Sequence, residues 1–265
     1  MVRVNGIPIF DNFIYSSGTI AAGDNITSFI ENGKNRVEVL MGSIDSQDKD
    51  TLHSDSECEF TITKDTINSS KNVTTIKLSV DNEKKIIATS SSNYDGEKYE
   101  GAIIEEQLPE DNKLFLRRFY RDIQFNSIKK WSWVDADKIT PERDLPAIRD
   151  TYRKIWQVMK DRNIDELKEL ADTSSKEMGE AEGISPDIVF ESYDLPQNIL
   201  DQNLTPTQLE WDKYKLTTYC GGRVFRLTSG IYQNSPLRLK NNEGKIVFSY
   251  DPYLAKINNK IVIVR

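Results

Sequence analysis

The side chains best suited to chemistry or recognition in this chain are carboxylates. Glu177, Glu180, Glu182, Asp187, Glu191 and Asp194 crowd into one stretch, with Lys176 as the near counter-charge. A second group, Asp45, Asp48, Asp50 and Asp55, lies in the polar segment GSIDSQDKDTLHSD. Two carboxylates flanking a glycosidic bond could act as acid and base, but the first stretch offers little beyond Tyr193 as an aromatic platform for a sugar. The second lacks the D-x-[DN]-x-[DN]-G spacing and the terminal Glu of an EF-hand loop. What remains is electrostatic. On a chain of net charge −7, such groups steer a basic partner and speed its encounter. The residues expected to bind that partner are Glu177, Glu180, Glu182, Asp187, Glu191 and Asp194, together with Asp48, Asp50 and Asp55.

Nucleophile and metal chemistry is thinly supplied. The single histidine, His53, sits in the acidic loop with no second imidazole to share a metal or a triad. Cys58 and Cys220 are far apart and read as two reduced thiols filling space rather than as a disulfide framework. Gly221 and Gly222, in YCGGRVFRL, match neither G-x-G-x-x-G nor a P-loop and suggest a bulge or tight connection between strands. Arg223, Arg226 and Arg238 could line one sheet face, with pairing to carboxylates the favoured alternative. Trp131 and Trp133 in WSWVDAD would face one side of an extended segment, either exposed for a sugar or partner or packed at the junction between two halves. No cofactor, no metal and no enzymatic activity are expected.

These residues ride on a chain of 265 residues, 37% hydrophobic, long enough for one large domain or two ordinary ones. Thirty-five Lys and Arg against 42 Asp and Glu make it a poor partner for nucleic acid, whose affinity rests on neutralised phosphates. The opening MVRVNGIPIFDNF has no apolar signal core, and no run approaches membrane-spanning length. The expectation is a cytoplasmic protein without membrane contact, periplasmic if a signal sequence precedes the native chain.

The patterning predicts an α+β protein in two parts. Residues 1–140 read as an antiparallel β-sandwich. Val37, Val39 and Met41 alternate with polar residues, as do Cys58, Phe60 and Ile62, and then Ile76, Leu78 and Val80. Asn-Gly at 32–33, Asp-Gly at 95–96 and INSSKN supply turns, and FIENGKNRVEV reads as strand, Gly-Lys-Asn turn, strand. The period then changes. Ile148, Tyr152, Ile155, Trp156 and Met159 form a helical stripe, with Asp144 and Pro146 as start signals. Asn163 and Glu166 fit a capping box for a second helix that runs to Gly183. From 187 onward, DIVFES, KYKLTTYCG, GRVFRLTSG, SPLRLKN, GKIVFSYDPY and NKIVIVR read as strands, with hairpin turns at Asn242–Gly244 and Asn258–Asn259. Residues 145–265 are thus expected to be two helices and a curved antiparallel sheet.

The run AIRDTYRKIWQVMKDRNIDELKELADTSSKEMGEAEG, with Tyr152 and Trp156 on one helix, resembles the opening of NTF2-like domains. That resemblance covers about 145–265 and implies a sheet closing into a cone. Enzymatic members place an Asp/His or Asp/Tyr group inside the cone, and this half has no histidine. The whole layout, FIENGKNRVEV and WSW, two helices, then GRVFRL and SPLRLKNNEGKIVFSYDPYLAKINNKIVIVR, resembles immunity proteins encoded beside secreted antibacterial toxins of the type VI secretion kind. The resemblance implies a non-enzymatic protein that occludes the active site of a cognate, basic toxin; no functional residues carry over from it. The alternative is a small-ligand-binding protein or enzyme with a pocket formed by Tyr152, Tyr219 and Arg223. A cone plugged by Trp156, Phe225 and Phe248 would count against that pocket. A third reading makes Trp131 and Trp133 the binding pair of a surface β-sandwich module.

Overall fold

Period-2 alternation builds the first part of the chain. In the computed structural model, which describes residues 1–13, 19–45, 48–91 and 102–265, the chain divides into two units, Met1–Lys129 and Lys130–Arg265. The first unit contains β1 (Val2–Val4), β2 (Ile7–Phe10), β3 (Gly33–Met41), β4 (Glu57–Thr66), β5 (Ser69–Val80), β6 (Ile86–Ser91), β7 (Ile104–Glu106), the short helix α1 (Pro109–Asn112) and β8 (Arg117–Phe125). All strand pairs are antiparallel, in a sheet of order β2-β1-β3-β8-β7 and another of order β4-β5-β6. The alternation sends Val37, Val39, Phe119 and Ile123 from one sheet and Ile62, Ile76, Leu78 and Val80 from the other into a shared apolar core. Arg121 Nη1 donates to Thr74 Oγ1 across it at 2.9 Å. The opposite face of β3 and β8 carries charge. There Glu38 and Asp111, both buried, accept hydrogen bonds from the Arg118 guanidinium at 2.7–2.9 Å.

One expected turn is replaced by continuous strand. Gly33, Lys34 and Asn35 open β3 instead of separating two strands. The reason is Asn35, whose buried amide accepts from Asn5 Nδ2 and the Glu31 amide and donates to the Glu31 and Gly33 carbonyls. A turn-type residue here satisfies neighbouring backbone from within the strand. The Asp-Gly pair at 95–96 lies outside the described residues.

The second unit opens with helices: α2 (Pro141–Lys160), α3 (Ile164–Leu170), α4 (Asp172–Glu182), α5 (Pro186–Ser192) and α6 (Leu195–Leu200). Then follow β9 (Thr205–Pro206), β10 (Lys215–Tyr219), β11 (Val224–Thr228), β12 (Leu237–Lys240), β13 (Ile246–Tyr250), β14 (Leu254–Ile257) and β15 (Lys260–Ile263). They form two antiparallel sheets, ordered β10-β11-β14-β15 and β13-β12-β9. Helices with antiparallel sheets throughout place the chain in the α+β class.

The 3.6-residue stripe does what its spacing predicts. Ile148, Tyr152, Ile155 and Met159 on α2 are buried against Phe190, Leu195, Phe225, Leu237 and Leu254, with Trp156 packed at the edge of that core. The helix starts at Pro141, earlier than Asp144 and Pro146 suggest. Asp144 instead closes its first turn by accepting from the Thr140 amide at 2.9 Å. Asn163 caps α3, accepting from the Glu166 amide and donating to its carboxylate. The expected second helix divides at Ala171 into α3 and α4, and α4 ends at Gly183 with φ 73°.

DIVFES is the larger correction, because it forms α5 rather than a strand. Ser185 Oγ accepts from the Ile188 amide and Pro186 takes the first helical position, so the cap outweighs the contiguous apolar Ile188, Val189 and Phe190. Two hairpins of the second unit follow their turn chemistry. Asn258 and Asn259 both adopt positive φ between β14 and β15, and Gly221 and Gly222 do so between β10 and β11.

Candidate partner-binding surface

The helices α4, α5 and α6 carry the carboxylates singled out from the sequence, and each side chain has a distinct position. Glu177 lies on the inner side of α4. Its Oε1 accepts from the Ser132 amide and its Oε2 from Arg265 Nη1, both at 2.6 Å. Glu180 and Glu182 are exposed in the last turn of α4. Asp187, exposed at the start of α5, pairs with Lys168 at 2.8 Å. Glu191, near the end of α5, accepts from Gln197 Nε2 at 3.2 Å. Asp194 takes a left-handed conformation with φ 55° and sets the corner into α6.

Two features distinguish this face from an ordinary solvated surface. No Lys, Arg or His occurs between Lys176 and Lys213. Moreover, acidic side chains occupy the wrong end of the helices. The C-terminus of a helix carries partial negative charge and favours cations, yet α4 ends on Glu180 and Glu182, α5 on Glu191, and neither has a basic residue in its last turn. The dipole acts on a carboxylate at that end of a helix by about 0.3–1 kcal/mol at low ionic strength. Among them, Ile184, Ile188 and Leu200 are 38%, 55% and 52% exposed. Of these, Ile188 is hidden in the sequence because α5 reads as a strand, although Ser185-Pro186 is a helix-start signal.

The other acidic group belongs to the first unit and is largely used by its own loop. Asp48 Oδ1 accepts from the Asp50 amide, and Thr51 Oγ1 donates to the Asp48 carbonyl. Asp50 pairs with Lys84, whose hydrogen bond lowers the carboxyl pKa, and Leu52 anchors the segment in the core. Asp55 and His53 are exposed.

The remaining candidates are structural. Trp131 and Trp133 are buried at 2% and 1% exposure, so they offer no exposed aromatic pair; the Arg265 and Arg223 guanidiniums stand 5.5 and 5.3 Å from their ring centres. Nor do the three arginines make a positive stripe. Arg223 donates to the carbonyls of Cys220 and Val134 and Arg238 to that of Ser235, while buried Arg226 contacts the Tyr219 hydroxyl and Gln233 Oε1.

Tyr152 is fully buried, its hydroxyl accepting from the Leu227 amide at 3.0 Å, and burial pushes the phenol well above its ordinary range. Tyr219 donates instead to Gln233. Phe225 lies fully inside the apolar core, and Trp156 and Phe248 pack against it. Cys220 is buried and Cys58 half-buried, and neither takes part in a disulfide. Among the described residues, no group of three or more His, Cys, Asp or Glu could hold a metal ion, and no helix is long and apolar enough to cross a membrane.

Protein-family models, curated proteins and solved structures were each searched with the chain, and none gave a match.

Proposed function

We propose that this chain is a binding protein that neutralises a basic protein partner by docking its acidic helical face over the partner's active site, as an immunity protein does with a cognate antibacterial toxin. The observation that carries this reading is the placement of Glu180, Glu182 and Glu191 at helix C-termini, where they oppose the local field. Side chains that lower the stability of their own helices are expected at functional sites, where another interaction compensates. The apolar Ile184, Ile188 and Leu200 within the same acidic segment fit the division of interfaces into apolar centre and polar rim. Asp187 and Asp194 extend the charge, Glu177 supports the face from beneath, and Asp48, Asp50 and Asp55 add a second acidic surface on the first unit.

The NTF2-like likeness of the second unit belongs to this proposal also. It is supported by the order of elements, helices followed by antiparallel strands. A ligand pocket inside that unit is the less favoured reading, because Tyr152 and Phe225 are both fully buried in its apolar core.

The test is capture followed by neutralisation. Immobilised protein is exposed to lysate and secreted fractions of the native organism at low and high salt, and any retained protein is expressed with and without this chain. One basic protein, bound one to one at low salt and toxic unless co-expressed, is the expected result. A retained protein whose activity is unchanged by the complex, or no retained protein, would overturn the proposal.

A further inference from the structure

The first unit holds a strained, exposed aromatic residue that its core does not use. The short helix α1 ends in a two-bond cap: the Leu116 amide donates to the Asp111 carbonyl at 3.0 Å, and the Phe115 amide to that of Asn112 at 3.2 Å. Such a cap needs left-handed backbone at the first residue past the helix end, a position usually taken by glycine or asparagine. Here it is Phe115, at φ 53°, the one aromatic residue with positive φ among the described residues. For a bulky side chain that conformation is an outlier, and backbone strain of this kind gathers at functional sites.

Packing does not account for the aromatic ring. Leu114 and Leu116, on either side, join the small apolar cluster of Met1 and Leu40, whereas Phe115 is 43% exposed. Gly42, just past the end of β3, lies so close that a Cβ there would be 2.8 Å from the Phe115 carbonyl oxygen. That contact brings the loop after β3 against the cap, and two residues further on Ile44 is 59% exposed. Asp45, Asp48 and Asp50 follow in the loop, and Glu110 is exposed on α1. The cations of these two segments are Lys49 and Lys113, and Asp50 pairs with Lys84, which leaves carboxylates in excess around the two apolar side chains.

We propose that Phe115 and Ile44 are the apolar centre of a second docking surface, on the first unit, for the basic protein partner. Phe115 enters an apolar pocket of that partner whose rim carries lysine or arginine. Aromatic residues are prominent among the few anchors that dominate binding energy, and an apolar centre within a polar rim is how interfaces are generally built. A basic rim fits both the excess of carboxylates beside Phe115 and the net charge of −7 of the whole chain. The inference rests on the reading of this chain as an inhibitor of a basic protein, and adds the apolar contact that the acidic loop by itself lacks.

The experiment places a photo-crosslinking amino acid at Phe115, or at Glu182 of the acidic helical face, in full-length protein within the native organism. Affinity for the protein crosslinked from Glu182 is then measured for Phe115→Asn, Phe115→Met, Ile44→Ser and Asp48→Asn. Asparagine suits left-handed backbone at position 115, and at position 48 it keeps an acceptor for the Asp50 amide. Circular dichroism and thermal melting check that each variant keeps the fold; should Phe115→Asn lose it, Ile44→Ser and the crosslinks decide. The expected result is the same protein crosslinked from both positions, with an affinity loss of about tenfold or more for Phe115→Asn. Ile44→Ser loses less, Phe115→Met binds nearly as the parent does, and Asp48→Asn associates more slowly at low salt only. A crosslink from Glu182 with none from Phe115, or with a different protein from Phe115, overturns the docking surface and leaves the acidic face standing, as does an affinity indifferent to Phe115→Asn and Ile44→Ser. An association rate unchanged by Asp48→Asn overturns the basic rim. A crosslink from Phe115 alone overturns the reading on which the inference rests, and none from either position overturns both.

Discussion

Glu177 and Arg265 form a buried ion pair that joins α4 to the end of the last strand. Arg265 Nη1 donates to Glu177 Oε2 at 2.6 Å, and the two side chains are 2% and 16% exposed. The same carboxylate accepts the Ser132 amide, while the guanidinium stands over the Trp131 ring. The acidic helix is thereby fixed to the β15 end of the chain and to the buried Trp131–Trp133 segment. Positioning of the exposed carboxylates on α4 depends on one carboxylate that is not itself free to meet a partner.

Replacing Glu177 by Ala therefore removes the acceptor of a buried guanidinium and of a backbone amide. A loss of about 2–4 kcal/mol in unfolding free energy is expected. Urea denaturation of Glu177→Ala beside Glu180→Ala checks this, since the exposed neighbour is expected to cost under about 0.5 kcal/mol.

Asp144 sets an acid limit on the second unit. Its carboxylate, 4% exposed, accepts from Arg143, from the Thr140 amide and from Lys256 Nζ. The Arg143 guanidinium, acting against desolvation, holds its pKa well below the ordinary carboxylate range. With the folded value depressed, the stabilisation is complete above the unfolded value near pH 4 and is lost as pH falls through the folded value. Asp144→Asn is expected to lower stability by about 1–3 kcal/mol at pH 7 and to flatten the decline below about pH 5. Melting temperatures between pH 7 and pH 2 for both proteins give the comparison.

On the first unit, the Arg118 guanidinium stands between Glu38 and Asp111, all three being buried. One Glu38 oxygen, Oε2, has no hydrogen-bond partner. Two buried carboxylates on a single cation make Arg118→Met costly, by about 3–5 kcal/mol. Glu38→Gln is expected to cost much less, because it removes the excess negative charge and keeps an acceptor for Arg118. A reversed order of the two variants in chemical denaturation would refute this account of the cluster.

Glu182→Lys separates stability from recognition. A cation in the last turn of α4 complements the helix dipole, so the variant is expected to be more stable than the parent by about 0.3–1 kcal/mol. The same change is expected to weaken partner binding. A variant less stable than the parent would show that Glu182 is held by a local interaction rather than tolerated against one.

Much of this architecture is legible in the sequence where a single periodicity acts alone. Val37 with Val39, Ile76 with Leu78, and the stripe from Ile148 to Met159 reach the cores that their spacing predicts. The reading fails where two local signals compete. Ile188, Val189 and Phe190 look like a buried strand, and the Ser185-Pro186 cap makes them a helix. Gly33 and Asn35 look like a turn, and Asn35 bonds to a segment 30 residues away. The site divides in the same way. Exposed Glu180, Glu182 and Glu191 are visible as a run of charge, whereas the inward role of Glu177 depends on Arg265, 88 positions later. No local pattern reveals that pairing.

The acidic face is tested most directly by the association rate of the captured partner as a function of ionic strength. The parent protein is compared with a variant carrying Glu180→Lys, Glu182→Lys and Asp187→Lys. The account predicts a rate for the parent that falls steeply with salt, a rate at least about tenfold lower for the variant at low salt, and convergence of the two at high salt. Rates that are equal at every salt concentration would contradict it.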